Sequence, residues 1–365
     1  MDNIKKFIDC FVPVYKCNFK CKYCYIATWE NWKKEEFSEK IKYDPKHIRK
    51  AFSIDRWGGP LMLNFCAAGE TLFCNEIVPI VSELLDEGHY CMIVTNGTMK
   101  KIFDELVLLN KNQRDRLFIK FSYHYLELKR LNMLDIFFEN VNKMKKAGIS
   151  YTIELTPYDE YIPYIEEIKE TCKQNVGAIP HVTVCRNESG KVPIMSSLSK
   201  EDYEKTWSQF DSKLFDYKME IFNVKRKEFC YAGSWSYVLN LVDGELRQCY
   251  RGKVLQNIFD DIDSPIKEEP IGCNCIDAHC WNGHAFLAFG VIPTLKTPTF
   301  AEERNRNTED GPWVTEKMNN FMETKLYNSN KEYSDEEKKV FNKKSKITKH
   351  KYKLKENLRK IIKNK

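Results

Sequence analysis

A chain of 365 residues, 42% hydrophobic and 30% charged, is long enough for one large domain with a smaller one attached. No run of about 18 apolar residues occurs, which argues against a membrane-spanning helix, and the opening MDNIKKFIDCFVPVY lacks the long apolar stretch of a secretion signal, so a cytoplasmic protein is expected. The net charge of +6 is unevenly placed: residues 338–365 carry twelve lysines, Arg359 and Glu356, a net +12, which leaves −6 for the rest.

FIDCFVPVY reads as a first strand, followed by YKCNFKCKYCYI with Cys17, Cys21 and Cys24. Further apolar runs follow: LMLNFC from 61, CMIVTN from 91, LFIKFS from 117, YTIELT from 151 and HVTVCR from 181. Helical patterns lie between them. In LDIFFENVNKMKKAG, Leu134, Phe137, Phe138, Val141 and Met144 share one helical face, and Gly88 and Gly148 suit left-handed helix ends. Continuous apolar strands alternating with amphipathic helices predict a parallel sheet with right-handed crossovers. Six such units imply an α/β fold, a partial (β/α)6 TIM-type barrel, over residues 1–199. Ligands would gather at the carboxyl ends of its strands, where the three cysteines fall.

The pattern then changes. Residues 200–229 read as a helical linker. Residues 230–285 form a cysteine-rich extension, with a β-hairpin in YVLNLVDGELRQCY turning at Asp243–Gly244. A Pro-rich loop and two short helical patterns fill 286–337, and a basic, helical tail occupies 338–365.

The chain has 14 cysteines. In a reducing compartment, clustered thiols point to metal or catalysis rather than disulfides. Cys10, Cys66, Cys74, Cys91, Cys172 and Cys185 stand alone, mostly in apolar runs, and read as small core residues. Cys17, Cys21 and Cys24 are different. A closed zinc site calls for four protein ligands, whereas a four-iron cubane can take three thiolates and leave one iron open.

Cys-x3-Cys-x2-Cys after the first strand of a partial barrel resembles the radical S-adenosylmethionine (radical SAM) enzymes. The resemblance implies a [4Fe-4S] cluster on Cys17, Cys21 and Cys24, with S-adenosylmethionine chelating the open iron. It implies reductive cleavage to a 5′-deoxyadenosyl radical that abstracts hydrogen from a substrate. It places the aromatic Tyr23 beside the cofactor's adenine. AAGETLF is similar to the family's Gly-Gly-Glu segment: Gly69 and Glu70 match and would bind the cofactor's amino group, while Ala68 replaces the first glycine. Asn96 in TNGT and Ser122 in KFSYHYLELKR are further cofactor-binding candidates. Arg130 lies closer to Ser122 than the family's later arginine does. His124 reads as a polar residue satisfied by its neighbours.

A second set follows the pattern Cys230-x13-Gly244-x4-Cys249, then Cys273, Cys275 and Cys280. It resembles the SPASM and twitch extensions of radical SAM enzymes. With no cysteine after Cys280, the resemblance implies one auxiliary iron–sulfur cluster, taken as [4Fe-4S], and leaves open which four of the five ligate. Asp277 and His279 sit beside this set. The resemblance covers residues 7 to about 285 and implies an electron donor such as flavodoxin or ferredoxin.

The expected substrate is a peptide or protein. The alternative is a carbohydrate or surface-polysaccharide precursor, because GVIPTLKTPTFAEERNRNTEDGPWV resembles radical SAM proteins encoded beside surface-polysaccharide genes. The lysine tail suits an anionic membrane surface, with Ile347, Tyr352, Leu354, Leu358, Ile361 and Ile362 giving it a rough apolar face. A reading of another class is a zinc protein that binds nucleic acid through this tail. It accounts for the charge but not for a site of three cysteines, so nucleic acid is not the expected partner.

Overall fold

The computed structural model describes residues 2–28, 39–187, 193–277 and 279–363, and from residue 350 onward the backbone alone. Six parallel strands run in sequence order: β1 (Lys6–Val12), β2 (Leu61–Ala67), β3 (Tyr90–Thr95), β4 (Leu117–Ser122), β5 (Ser150–Leu155) and β6 (His181–Val182). They are the six apolar runs of the sequence. The sheet is the partial TIM-type barrel expected. β6 is shorter than HVTVCR suggested: Thr183 N–H still bonds Leu155 O, but Cys185 N–H turns to the Tyr203 hydroxyl at 3.0 Å.

Period-2 alternation splits strands β1 to β4 between two cores. Outward residues such as Ile8, Leu63, Ile93 and Ile119 meet the flanking helices. The helix Leu134–Lys146 buries Phe137, Phe138, Val141 and Met144 there, and Gly148 follows with φ 71°. Inward residues Phe7, Met62, Tyr90, Met92 and Phe118 meet a second apolar group from residues 285–326. Phe7 contacts Phe286 and Phe289 with ring centroids 5.3 Å apart in both pairs, and Tyr90 stacks on Phe321 at 3.6 Å. The segment beyond the resemblance therefore plugs the amino-terminal half of the barrel.

The hairpin forms as expected. β7 (Ser236–Asn240) and β8 (Glu245–Arg247) pair antiparallel, and β9 (Val254–Asn257) follows. Gly244 sits at φ 84°, and a Cβ there would lie 2.5 Å from the Phe259 ring, so only glycine fits the turn. β7 also pairs in parallel with β1, so the hairpin extends the main sheet to nine strands, ordered β6-β5-β4-β3-β2-β1-β7-β8-β9. The linker is two helices, Lys200–Trp207 and Lys213–Ile221, separated near Asp211, which has φ 45°. The chain closes in the helix Asp335–Lys363. Among the described residues no helix is long and apolar enough to cross a membrane.

Candidate active site

The loop carrying Cys17, Cys21 and Cys24 leaves the carboxyl end of β1 and is stitched to the end of β2. Gly69 N–H bonds Val14 O and Glu70 N–H bonds Lys16 O, both at 2.8 Å. A Cβ on Gly69 would sit 2.1 Å from Lys16 O, so the two backbones approach this closely only because residue 69 is glycine.

Glu70 is 2% exposed, and its carboxylate is fully engaged. It accepts from Leu72 N–H (3.0 Å), Thr95 Oγ1 (2.6 Å) and Asn96 N–H (2.8 Å). Burial raises its pKa against the pull of these three donors. Glu70 thus ties the end of β2 to the end of β3. Asn96 carries the link onward: its Nδ2 donates to Asn18 Oδ1 at 2.7 Å, and its Oδ1 accepts from the Thr98 hydroxyl at 2.7 Å. Asn18 is in the cysteine loop, so β3 holds the loop through side chains.

The far side of the loop rests on β4 and β5. Tyr23, 6% exposed, shares its hydroxyl with His124 Nδ1 at 2.7 Å and the Tyr161 hydroxyl at 2.6 Å. Lys20 N–H donates to Glu127 Oε2 at 2.7 Å. Arg130 pairs with the same carboxylate at 2.7 Å, three residues along one helix. His124 is thus satisfied, as read. Its role as an anchor for Tyr23 had no local signal, since the two residues lie 101 positions apart. Ser122 ends β4 facing the barrel interior, half-buried.

The three thiols form one electrostatic group. Cys17 is exposed by surface area yet crowded by enough protein that burial pushes its thiol up to about 11, against Phe19 N–H and Asn96. Burial raises Cys21 further, opposed by Tyr23. Cys24 bears on both. Among the described residues no three His, Cys, Asp or Glu side chains converge tightly enough for a single ion. A cubane spreads its thiolates over separate irons, so this spacing and the soft all-sulfur donor set fit a cluster.

The second set also gathers. Burial raises Cys230 to about 12, with Cys275 and Cys273 adding to the rise. It raises Cys249 and Cys280 more strongly, and Cys230 and Cys275 contribute to both. Cys273 is the exposed member of the set: its N–H donates to Asn342 Oδ1 at 2.8 Å, and its sulfur accepts from Asn342 Nδ2 at 3.5 Å. Asn342 belongs to the C-terminal helix, which also receives Asn274. Asp277 pairs with Arg251 at 3.3 Å, and His279 Nδ1 lies 3.0 Å from Asn223 Oδ1. Of the lone cysteines, Cys66 is the exception to core burial: it is half-buried and faces the barrel interior.

No family model matches the chain. A stretch of 95 residues is 30% identical to the putative glycyl-radical enzyme activating enzyme MJ1632 of Methanocaldococcus jannaschii, covering 25% of this chain and 33% of that protein. The match thus spans a third of the curated relative's length. Among solved structures, a histidine-tagged anSMEcpe with bound AdoMet superposes with a TM-score of 0.50 at 18% identity, over 72% of this chain and 77% of that one. Streptococcus suis SuiB bound to S-adenosylmethionine gives 0.43 at 15% identity, over 73% and 64%. These neighbours are radical SAM enzymes. The first of these superpositions shows a shared fold, the partial TIM-type barrel that the alternating strands and helices implied.

Proposed function

We propose that the protein is a radical SAM enzyme in which Cys17, Cys21 and Cys24 hold a [4Fe-4S] cluster and S-adenosylmethionine takes the open iron. The observation that carries this reading is a loop of three thiols at the carboxyl edge of the sheet, braced by β2, β3, β4 and β5 together. When bound, the cluster and cofactor supply the electron and the 5′-deoxyadenosyl radical that abstracts hydrogen from substrate. The chain supplies position. Glu70 and Asn96 fix the loop to the strand ends, Gly69 admits close backbone approach, and Tyr23 is held by His124 and Tyr161. Gly69, Glu70, Asn96 and Ser122 are the residues we assign to the cofactor, with Tyr23 beside them.

Cys230, Cys249, Cys275 and Cys280 are the ligands we assign to one auxiliary cluster, with Cys273 held by Asn342 instead. The substrate is a peptide or protein, and a flavodoxin- or ferredoxin-type protein is the electron donor. Anaerobic reconstitution with iron and sulfide analysis, read by electron paramagnetic resonance with and without S-adenosylmethionine, tests the assignment. Two clusters mean about eight irons per chain, with one signal moved by the cofactor. Stoichiometric zinc without iron would overturn the reading.

A further inference from the structure

Between the apolar plug and the cysteine loop lies a tier of inward-facing polar residues. Asp9 on β1 accepts from Asn64 Nδ2 on β2 at 2.8 Å. Its other oxygen takes Asn282 Nδ2 at 3.0 Å and the Tyr250 hydroxyl, both from the extension. Across the barrel, Lys120 on β4 pairs with Glu154 on β5 at 2.8 Å, and Arg304 from the plug reaches the same carboxylate at 2.8 Å. Burial works against the Glu154 charge, but Arg304 and Lys120 overcome it and hold the carboxyl down to about 2. Lys120 and Ser122 share one face of β4, so this tier lies one step below the site of the proposed chemistry. It is open to water from above, since Cys66, Lys120 and Ser122 all point inward and all stay partly exposed.

Lys120, Lys218 and Arg304 face Glu154, with Asp9 across the same tier, while burial raises the neighbouring Glu303 against the pull of Arg304. Arg304 is fully buried and answered by Glu154 and Glu303. Lys218, 7% exposed, has no carboxylate contact among the described residues: the partner its Nζ finds there is the Thr183 hydroxyl. Burial drives the Lys218 pKa well below that of an ordinary lysine, and the cations Arg186 and Lys120 add to the fall. Beside it His284 has a buried Nδ1 without a hydrogen-bond partner among the described residues, and Lys218, Lys120, Arg304 and Arg186 all bear on it. A buried cation left to a neutral hydroxyl costs free energy unless an anion meets it.

We propose that this tier is the substrate pocket, and that Lys218, with Lys120 and His284, receives an anionic group of the substrate, a carboxylate or a phosphate. This names a substrate class for the reading above and rests on it for the chemistry that follows binding. A carboxylate source is the peptide substrate itself; a phosphate source is a phosphorylated carbohydrate precursor. Either group would give the buried Lys218 ammonium the charged partner that the Thr183 hydroxyl does not supply. It also gives His284 Nδ1 an acceptor for the donor tautomer.

Isothermal titration of the anaerobically reconstituted full-length protein with inorganic phosphate and with N-acetylglycine tests the pocket without S-adenosylmethionine or reductant. Wild type is expected to bind one of them saturably, and Lys218→Met to bind it at least tenfold more weakly. Tighter N-acetylglycine binding assigns the peptide carboxylate, and tighter phosphate binding assigns the phosphorylated substrate. His284→Phe, which keeps the ring and removes the nitrogen, is expected to weaken the same anion several-fold and guards against a Lys218 variant that does not fold. Binding of neither anion, or equal binding by wild type and both variants, overturns the pocket. Anion binding by a chain that takes up no iron would instead keep the pocket and overturn the radical reading.

Discussion

The two cysteine sets are held by different means. The first is fixed by strand ends: backbone pairing to β2, the buried Glu70 carboxylate to β3, and the Tyr23 hydroxyl to β4 and β5. Thr95 belongs to a strand and Asn96 follows it directly, while His124 and Tyr161 lie in the segments that follow β4 and β5. The second sits on the rim of the sheet extension, and one of its five members is tied to the C-terminal helix through Asn342. Three cysteines on a loop pinned to the sheet suit chemistry that needs fixed geometry.

Removing a ligand gives the sharpest break. Cys17→Ala is expected to abolish 5′-deoxyadenosine formation while iron at the second set persists, leaving about four irons per chain. Unchanged 5′-deoxyadenosine would sink the site assignment, and complete loss of iron would mean that the two sets are not independent. Gly69→Ala should come close to it. The new Cβ would meet the Lys16 carbonyl at 2.1 Å, and backbone cannot turn aside as a side chain can. Overpacking of this kind costs about 1–3 kcal/mol, concentrated on the cysteine loop. Iron at the first set should fall, measured by the cofactor-sensitive resonance, while the second set keeps its signal.

Glu70→Gln probes the same brace more gently. One oxygen remains, but the new amide sets a donor against a donor, either Asn96 N–H or the Leu72 and Thr95 pair. A buried donor left unmet costs about 1–3 kcal/mol. Lower thermal stability is expected, together with weaker S-adenosylmethionine binding by calorimetry. A variant with unaltered stability would show that the three hydrogen bonds do not brace the loop.

How much of this was legible follows from where each signal lies along the chain. The six strands could be read because parallel strands buried on both faces leave unbroken apolar runs. The hairpin could be read because Asp243–Gly244 is a local turn signal. Cys17, Cys21 and Cys24 stood out because a tight loop concentrates its chemistry within eight residues. The pairing of β7 with β1 was hidden, since it joins residues more than 200 positions apart and no local pattern encodes it. The plug was hidden for the same reason: Phe286, Phe289, Phe300 and Phe321 look like scattered apolar residues until the barrel interior collects them. Lys120, Glu154 and Lys218 each resembled an ordinary charge in an amphipathic element. Only the fold turns all three inward.

Asn342→Ala is the mildest test and bears on the second set alone. Asn342 receives the Cys273 N–H and donates to its sulfur, and the next residues of the helix hold Asn274. Removing the amide frees Cys273 without touching Cys230, Cys249, Cys275 or Cys280. The loss should be about 1 kcal/mol of stability, the worth of a typical net hydrogen bond. Total iron should stay at the wild-type level, and Cys273 should be alkylated by N-ethylmaleimide faster than before, followed by mass spectrometry of the reconstituted protein. Cys273→Ala should likewise keep its iron. If either variant loses the auxiliary cluster, Cys273 is a ligand. The helix that begins at Asp335 would then be part of the cluster's own scaffold rather than a neighbour leaning on it.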